Sequence, residues 1–130
     1  MTTDLWMLVL SAVLCLVLPL PYLVARAVTP GGVAWGLGNR EEDFRFPAWA
    51  GRAERAHRNL VENLAPFAIL VLVAQVTGRA NASTALGAEL FFWGRVLHAL
   101  TYLAGIVYLR TVMFIVAIAG EILILLQLLH

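Results

Sequence analysis

Lysine is absent from this chain: all nine of its basic residues are arginine. Arginine suits bidentate capture of carboxylates, although a composition biased toward Ala, Leu, Val and Arg would produce the same count. Cysteine is nearly absent too. Cys15 has no partner for an intrachain disulfide and says nothing about redox compartment. It sits in an apolar run and reads as membrane packing rather than a catalytic thiol. Charge is scarce, at 13% of residues with a net charge of +1, which offers no basic surface for nucleic acid. Neither a GxSxG elbow, an HExxH, a P-loop nor a GxGxxG is present, so nucleophilic hydrolysis, zinc proteolysis and nucleotide binding have no sequence signal. No His, Cys and carboxylate set has metal-ligand spacing, and metal is not expected. Internal repeats and low-complexity segments are also missing.

Apolar sequence fills the remainder. Hydrophobic residues make up 62% of the chain, and the mean hydropathy is +0.85. A soluble globule is nearer half apolar, so the chain reads as an all-α integral membrane protein forming one domain over residues 1–130. Four spans fit. The first is the uncharged run of about 5–25, long enough to cross a bilayer. Asp4 precedes it and no basic region does, so it does not read as a cleavable signal peptide. The second begins near Pro47–Arg52 and ends at Thr77-Gly78. The third runs from about Ser83 to Leu109 and the fourth covers about Thr111–Leu129. Gly78-Arg79-Ala80-Asn81-Ala82-Ser83 reads as a turn with a Ser83 cap. The last connection, somewhere in Gly105–Arg110, is short enough to make spans three and four antiparallel neighbours. The connection 27–48 is long and holds Pro30-Gly31-Gly32 and the charged patch Arg40-Glu41-Glu42-Asp43. It is either functional or a solvated linker. Arginine is concentrated in and just after that loop, at Arg26, Arg40, Arg45, Arg52 and Arg55. Arg79 stands alone in the second loop. The first and third loops are therefore expected on the cytoplasmic side, with both termini opposite.

Polar residues inside spans are costly and by default mark function. Arg55, Asn59, Glu62 and Pro66 fall within about 60° on one helix face, with Arg52 and Arg58 flanking them. A Glu and an Arg around an Asn could hold the ammonium and carboxylate of a zwitterionic ligand. An ion-pair network tying helices together is the alternative. Pro66 cannot donate to the Glu62 carbonyl, so a kink is expected, either lining a cavity or purely structural. In span three, Arg95, His98 and Tyr102 share a face in the same way, within about 60°. His57 points away from Asn59. Arg110-Thr111 starts span four, where a cation opposes the helix dipole. Arg110 is thus either aimed at the site or an interfacial anchor. Glu89 and Glu121 receive no function, and Glu121 is expected to pair with an Arg or a helix backbone.

Arg55-Ala-His57-Arg58-Asn59-x-x-Glu62 followed by Pro66-Phe67 resembles the second-helix signature of the MAPEG family, the membrane-associated proteins of eicosanoid and glutathione metabolism. Gly94-Arg95-Val-x-His98-x-x-x-Tyr102-Leu is similar to that family's third-helix motif. The nearest branches are the microsomal glutathione transferases and prostaglandin E synthases, and the likeness covers nearly the whole chain. It implies a four-helix bundle assembling as a homotrimer, with glutathione as co-substrate bound between subunits near the cytoplasmic side. Arg55, Arg58, Asn59 and Glu62 would then contact glutathione from span two, and Arg95, His98 and Tyr102 from span three. Arg110 resembles the family's arginine that stabilises the glutathione thiolate, and Thr111 falls where some relatives carry a Ser. Arg26 resembles an arginine at the end of helix one. Asn63 stands where the leukotriene synthase branch has Tyr, which disfavours that substrate. The Arg95–Arg110 spacing is one residue shorter than in the prostaglandin synthase branch. The short chain with compact loops is similar to bacterial members, implying a bacterial inner membrane.

The expected function is therefore a glutathione-dependent transferase, with peroxidase activity as an accompaniment, acting on a lipophilic electrophile that arrives through the lipid. Two rivals stand beside it. A non-catalytic membrane module would bind a lipid or partner in the same inter-helix groove. A small transporter would line a pathway with the polar stripes, which the lack of an internal repeat disfavours.

Overall fold

A computed structural model describes the full chain, residues 1–130, and it is helical with no strand. Six helices follow in order: α1 (Thr3–Val17), α2 (Pro19–Val28), α3 (Gly32–Leu37), α4 (Ala48–Val76), α5 (Ala82–Ala104) and α6 (Val107–Leu129). α1 and α2 together form one rod broken at Leu18. Pro19 and Pro21 remove the N–H groups that would reach the Cys15 and Val17 carbonyls, so the α-ladder cannot run through. The first rod therefore extends from residue 3 to 28, beyond the expected 5–25. α4 continues unbroken through Pro66. The proline removes one ladder bond but does not end the helix.

Three rods are long and apolar enough to cross a membrane: Thr3–Val28, Ala48–Val76 and Val107–Leu129. α5, at 23 residues, has the length, but Glu89, Arg95 and His98 dilute its hydropathy. The packing accounts for Arg95 and His98, which are buried, while Glu89 is exposed. α5 touches α1, α4 and α6, and its buried residues cover about half of its circumference, including Thr84, Gly87, Phe91, Arg95, His98 and Thr101. On α4 the buried positions are Ala50, Ala53, Ala56, Leu60, Phe67, Val71 and Ala74, a single stripe at three-, four- and seven-residue spacing. Phe67 stacks on Phe91 with ring centroids 3.8 Å apart, at the centre of the core. Large apolar side chains on the outside stay uncovered, with Leu16 75% and Ile115 59% exposed, as suits a lipid-facing surface.

The ends of the rods sort onto two faces. Gln75 donates to Thr2 at 2.7 Å, and Asn81 Nδ2 to Gln127 at 3.1 Å. Both termini and the α4–α5 turn thus share one face. Arg52 donates to the Leu103 carbonyl at 3.1 Å. The first loop and the α5–α6 turn thus share the other, called the loop face below. This pairing of ends agrees with the alternation expected from the arginine distribution.

Three boundaries differ from expectation. α5 stops at Ala104 rather than Leu109, because Gly105 takes a left-handed conformation (φ +78°) and lets Ile106 N–H return to the Thr101 carbonyl at 2.9 Å. α6 then begins at Val107, so Arg110 lies at the end of its first turn rather than at its start. At the other end of α5 the cap is Asn81, in a reciprocal capping box with Thr84, and not Ser83. The long loop is also ordered. It carries α3 and an aromatic group of Trp35, Phe44 and Phe46 with centroids 4.9–5.8 Å apart.

Candidate functional site

Near the loop face, α4, α5 and α6 each project polar side chains toward a common point. Asn59, His98, Arg110, Thr111 and Phe114 line a pocket of about 200 Å³. Arg95 lies buried behind that lining. Its Nη1 donates to Asn59 Oδ1 at 2.7 Å, and its guanidinium lies 5.2 Å from the Phe91 ring centroid and 5.1 Å from that of Phe114. Because the Asn59 oxygen accepts from Arg95, its amide NH₂ remains free to donate. Tyr102 stands beside the pocket. The Arg110 guanidinium covers its ring at 4.5 Å, Arg55 lies 6.0 Å from the same centroid, and the His98 ring meets it edge-on at 5.4 Å.

A second, larger pocket of about 390 Å³ opens next to it, beneath the first loop. Arg26, Phe44, Phe46, Glu54 and Arg55 are among its lining. Arg26 pairs with Glu54 at 2.8 Å and is caged by the rings of Tyr22, Trp35 and Phe46 at 5.0–5.5 Å. Arg55 is the link between the two pockets, lining the larger and approaching the tyrosine beside the smaller. Together they offer several guanidinium groups and an amide donor to a ligand bearing carboxylates.

The expected residues thus divide. Asn59, Arg95, His98, Tyr102, Arg110 and Thr111 come together, and Arg55 joins them at the edge. Arg58 and Glu62 do not: both are exposed on the outer side of α4, and neither forms an ion pair within the chain. The face shared by Arg55, Asn59 and Glu62 on a helical wheel therefore turns only its Asn59 edge into the bundle. Glu121 forms no direct ion pair, contrary to expectation. Sequence reasoning did not find Glu54, Phe44, Phe46 or Phe114. Phe114 could have been found, since it follows Arg110 by one helical turn. The partners of a loop residue leave no such periodic trace.

His57 faces away from Asn59, as the helical wheel requires. Its Nδ1 lies 2.9 Å from the Tyr22 hydroxyl and its Nε2 3.8 Å from Cys15 Sγ. No group of three or more His, Cys, Asp or Glu side chains is close enough to hold a metal ion.

Apolar rods and an apolar exterior define an integral membrane helical protein, with an arginine-rich polar pocket at one end. Comparison with protein-family models matches the MAPEG family over residues 5–130, essentially the whole chain, and the chain belongs to that family. The family includes glutathione transferases and other membrane proteins, some of them non-catalytic. No curated protein matches the chain.

Proposed function

We propose that this protein is a membrane-bound glutathione transferase that joins the glutathione thiolate to a lipophilic electrophile. The observation that carries this reading is the convergence of Asn59, His98 and Arg110, from three helices, on one pocket, with Arg95 and Tyr102 held against that lining. These are the positions at which the chain bears the family's glutathione motifs. The residues present suit the tripeptide. Arginines can take its two carboxylates in bidentate fashion, and the free Asn59 amide can donate to a peptide or carboxylate oxygen. A ligand of that size needs roughly 300 Å³ or more. One end would therefore sit in the smaller pocket and the remainder in the larger pocket or against a neighbouring subunit.

Arg110 is assigned the chemistry. A thiol with a pKa of about 8–9 is mostly protonated at neutral pH. The Arg110 guanidinium beside it favours the charged form and so raises the concentration of nucleophile. Tyr102 holds that guanidinium in place through its ring, and the Thr111 hydroxyl, which donates to the Val107 carbonyl at 3.3 Å, would rotate to donate to the sulfur. The thiolate then forms the C–S bond while the electrophile's leaving group departs with its electron pair. A hydroperoxide entering the same site would instead take the thiolate's electron pair at oxygen: its O–O bond breaks to release the alcohol, and the resulting glutathione sulfenic acid condenses with a second glutathione to the disulfide and water.

The four long rods are read as four spans, with one face of α5 packed on the others and its opposite, mostly apolar face left open. Arg58 and Glu62 lie exposed near the middle of α4, where lipid is an unfavourable neighbour for charge. A second and third copy of the chain covering that face would remove the difficulty and complete the ligand site, in keeping with a homotrimer. The loop face is assigned to the cytoplasm of a bacterial inner membrane.

The test is titration of the purified full-length protein with glutathione, following thiolate absorbance and conjugation of an activated aryl halide. The wild type is expected to bind and to develop the thiolate band. Arg110→Ala is expected to bind glutathione without that band and to lose about 10²-fold or more in turnover, the scale of one lost electrostatic donor. Conjugation by Arg110→Ala at the wild-type rate would remove Arg110 from this role. Absence of both binding and thiolate in the wild type would favour a non-catalytic module.

A further inference from the structure

Two opposite charges lie buried behind the pocket, and the site as described uses only one of them. Arg95 is 1% exposed and Glu121 9%. Arg95 spends its Nη1 on Asn59, but its Nε and Nη2 meet no acceptor, and Glu121 Oε1 meets no donor. The two make no direct ion pair, the chain's one such contact being Arg26–Glu54.

The local packing explains why an acid stands there. Gly120 and Gly87 bring α6 and α5 together backbone to backbone: a Cβ on Gly120 would lie 2.4 Å from the Gly87 carbonyl oxygen. Glu121 follows Gly120 directly and is held by that contact on the inner side of α6. Helical side chains lean toward their own N-terminus. In this antiparallel pair, Glu121 therefore leans toward the loop face and Arg95 toward the termini face, so their charged ends approach each other. The Arg95 guanidinium is fixed between the Phe91 and Phe114 rings, with its two remaining donor groups unspent. An isolated guanidinium in this interior would be costly. The Asn59 oxygen, a neutral acceptor, offsets only part of that cost.

We propose that Glu121 is a positioning residue for the pocket: it is the counter-ion of Arg95, and through Arg95 it fixes the Asn59 amide that faces the ligand. The role rests on the pocket being the glutathione site, whereas the pairing of Glu121 with Arg95 does not. Without the carboxylate, Arg95 is free to swing toward another anion, and Asn59 loses the fixed donor that holds its oxygen inward.

The experiment uses the full-length protein in detergent and compares Glu121→Leu, Glu121→Gln and the double variant Arg95→Met/Glu121→Leu. Thermal midpoint is read together with the glutathione KM and kcat for conjugation. Glu121→Leu is expected to lower the midpoint and raise the glutathione KM about tenfold, the scale of one charged hydrogen bond, with kcat near wild type. The double variant should recover the midpoint, because a buried pair replaced by apolar groups is tolerated, while its KM stays raised. A purely packing role for Glu121 would not show that split. Glu121→Gln keeps the shape and removes the charge. If the leucine variant does not accumulate, a lower midpoint and higher KM in Glu121→Gln carry the proposal, and unchanged values overturn it. Wild-type midpoint and KM in Glu121→Leu overturn the pairing, and a wild-type KM in the double variant overturns the positioning role. Should the wild type fail to bind glutathione, the midpoint cycle alone still decides the pairing, and the failure lies with the ligand reading.

Discussion

Asn59 and Glu62 lie on one face of α4 by sequence spacing, yet they have different tasks in the fold. The Asn59 oxygen is the one acceptor that the Arg95 guanidinium meets within the chain. Removing it leaves a buried cation with no hydrogen bond. Asn59→Ala is therefore expected to lose about 1.5–3 kcal/mol of stability as well as glutathione binding. Glu62 is exposed and forms no ion pair within the chain. Glu62→Ala should weaken glutathione binding while the ligand-free thermal midpoint stays near wild type. Paired measurements of midpoint and glutathione affinity separate the two cases. Wild-type affinity in Glu62→Ala would remove that carboxylate from the ligand site. An undiminished midpoint in Asn59→Ala would mean that Arg95 has another acceptor.

At the scale of elements, the closest contact is between α5 and α6. A Cβ at position 120 would lie 2.4 Å from the Gly87 oxygen and 2.9 Å from the Phe91 nitrogen, both backbone atoms that cannot move alone. Gly120→Ala must push the helices apart. Its expected cost is about 1–3 kcal/mol, as for other overpacked cores, read as a lower thermal midpoint. Because α6 also carries Arg110 and Thr111, conjugation should fall with it. Gly36→Ala, where an added Cβ meets nothing within 4 Å, serves as the unaffected control. Equal midpoints for the two variants would show that α5 and α6 slide past the added methyl at no cost. The long elements were legible in the sequence because lipid imposes runs of apolar residues. The stripe of Arg95, His98 and Tyr102 was legible because a helix repeats every 3.6 residues. Pro19 signals the break at Leu18, and the last connection, expected within Gly105–Arg110, falls at Gly105 and Ile106, where the glycine ends α5. The depth at which Arg58 and Glu62 face outward could not be read, since a helical wheel gives a residue's direction but not the neighbour it meets. The cage around Arg26 depends on a loop fold with no periodicity at all.

The whole molecule alternates end over end, and its charges are concentrated on one face. Arg26, Arg40, Arg45, Arg52 and Arg55 belong to the loop face, while Arg79 stands with the termini. The ends themselves are tied by specific contacts, Arg52 to Leu103 on one face and Gln75 to Thr2 on the other. No single rod can reverse without breaking them, so the orientation of the bundle is one two-way choice. On the orientation proposed above, the excess of arginine sets the loop face toward the cytoplasm. That also puts the candidate ligand pocket where a soluble thiol peptide would be met, with the apolar exterior left to a substrate dissolved in lipid. The native thiol at Cys15 lies within the first rod, and Cys15→Ser supplies a background free of cysteine. In that background Asn39→Cys, in the long loop, should resist a membrane-impermeant maleimide in spheroplasts and react in inverted vesicles. Ala80→Cys, in the α4–α5 turn, should do the reverse. Labelling of Asn39→Cys in spheroplasts with Ala80→Cys protected would invert the bundle. The pocket would then open to the outside, and a cytoplasmic thiol could not be its ligand.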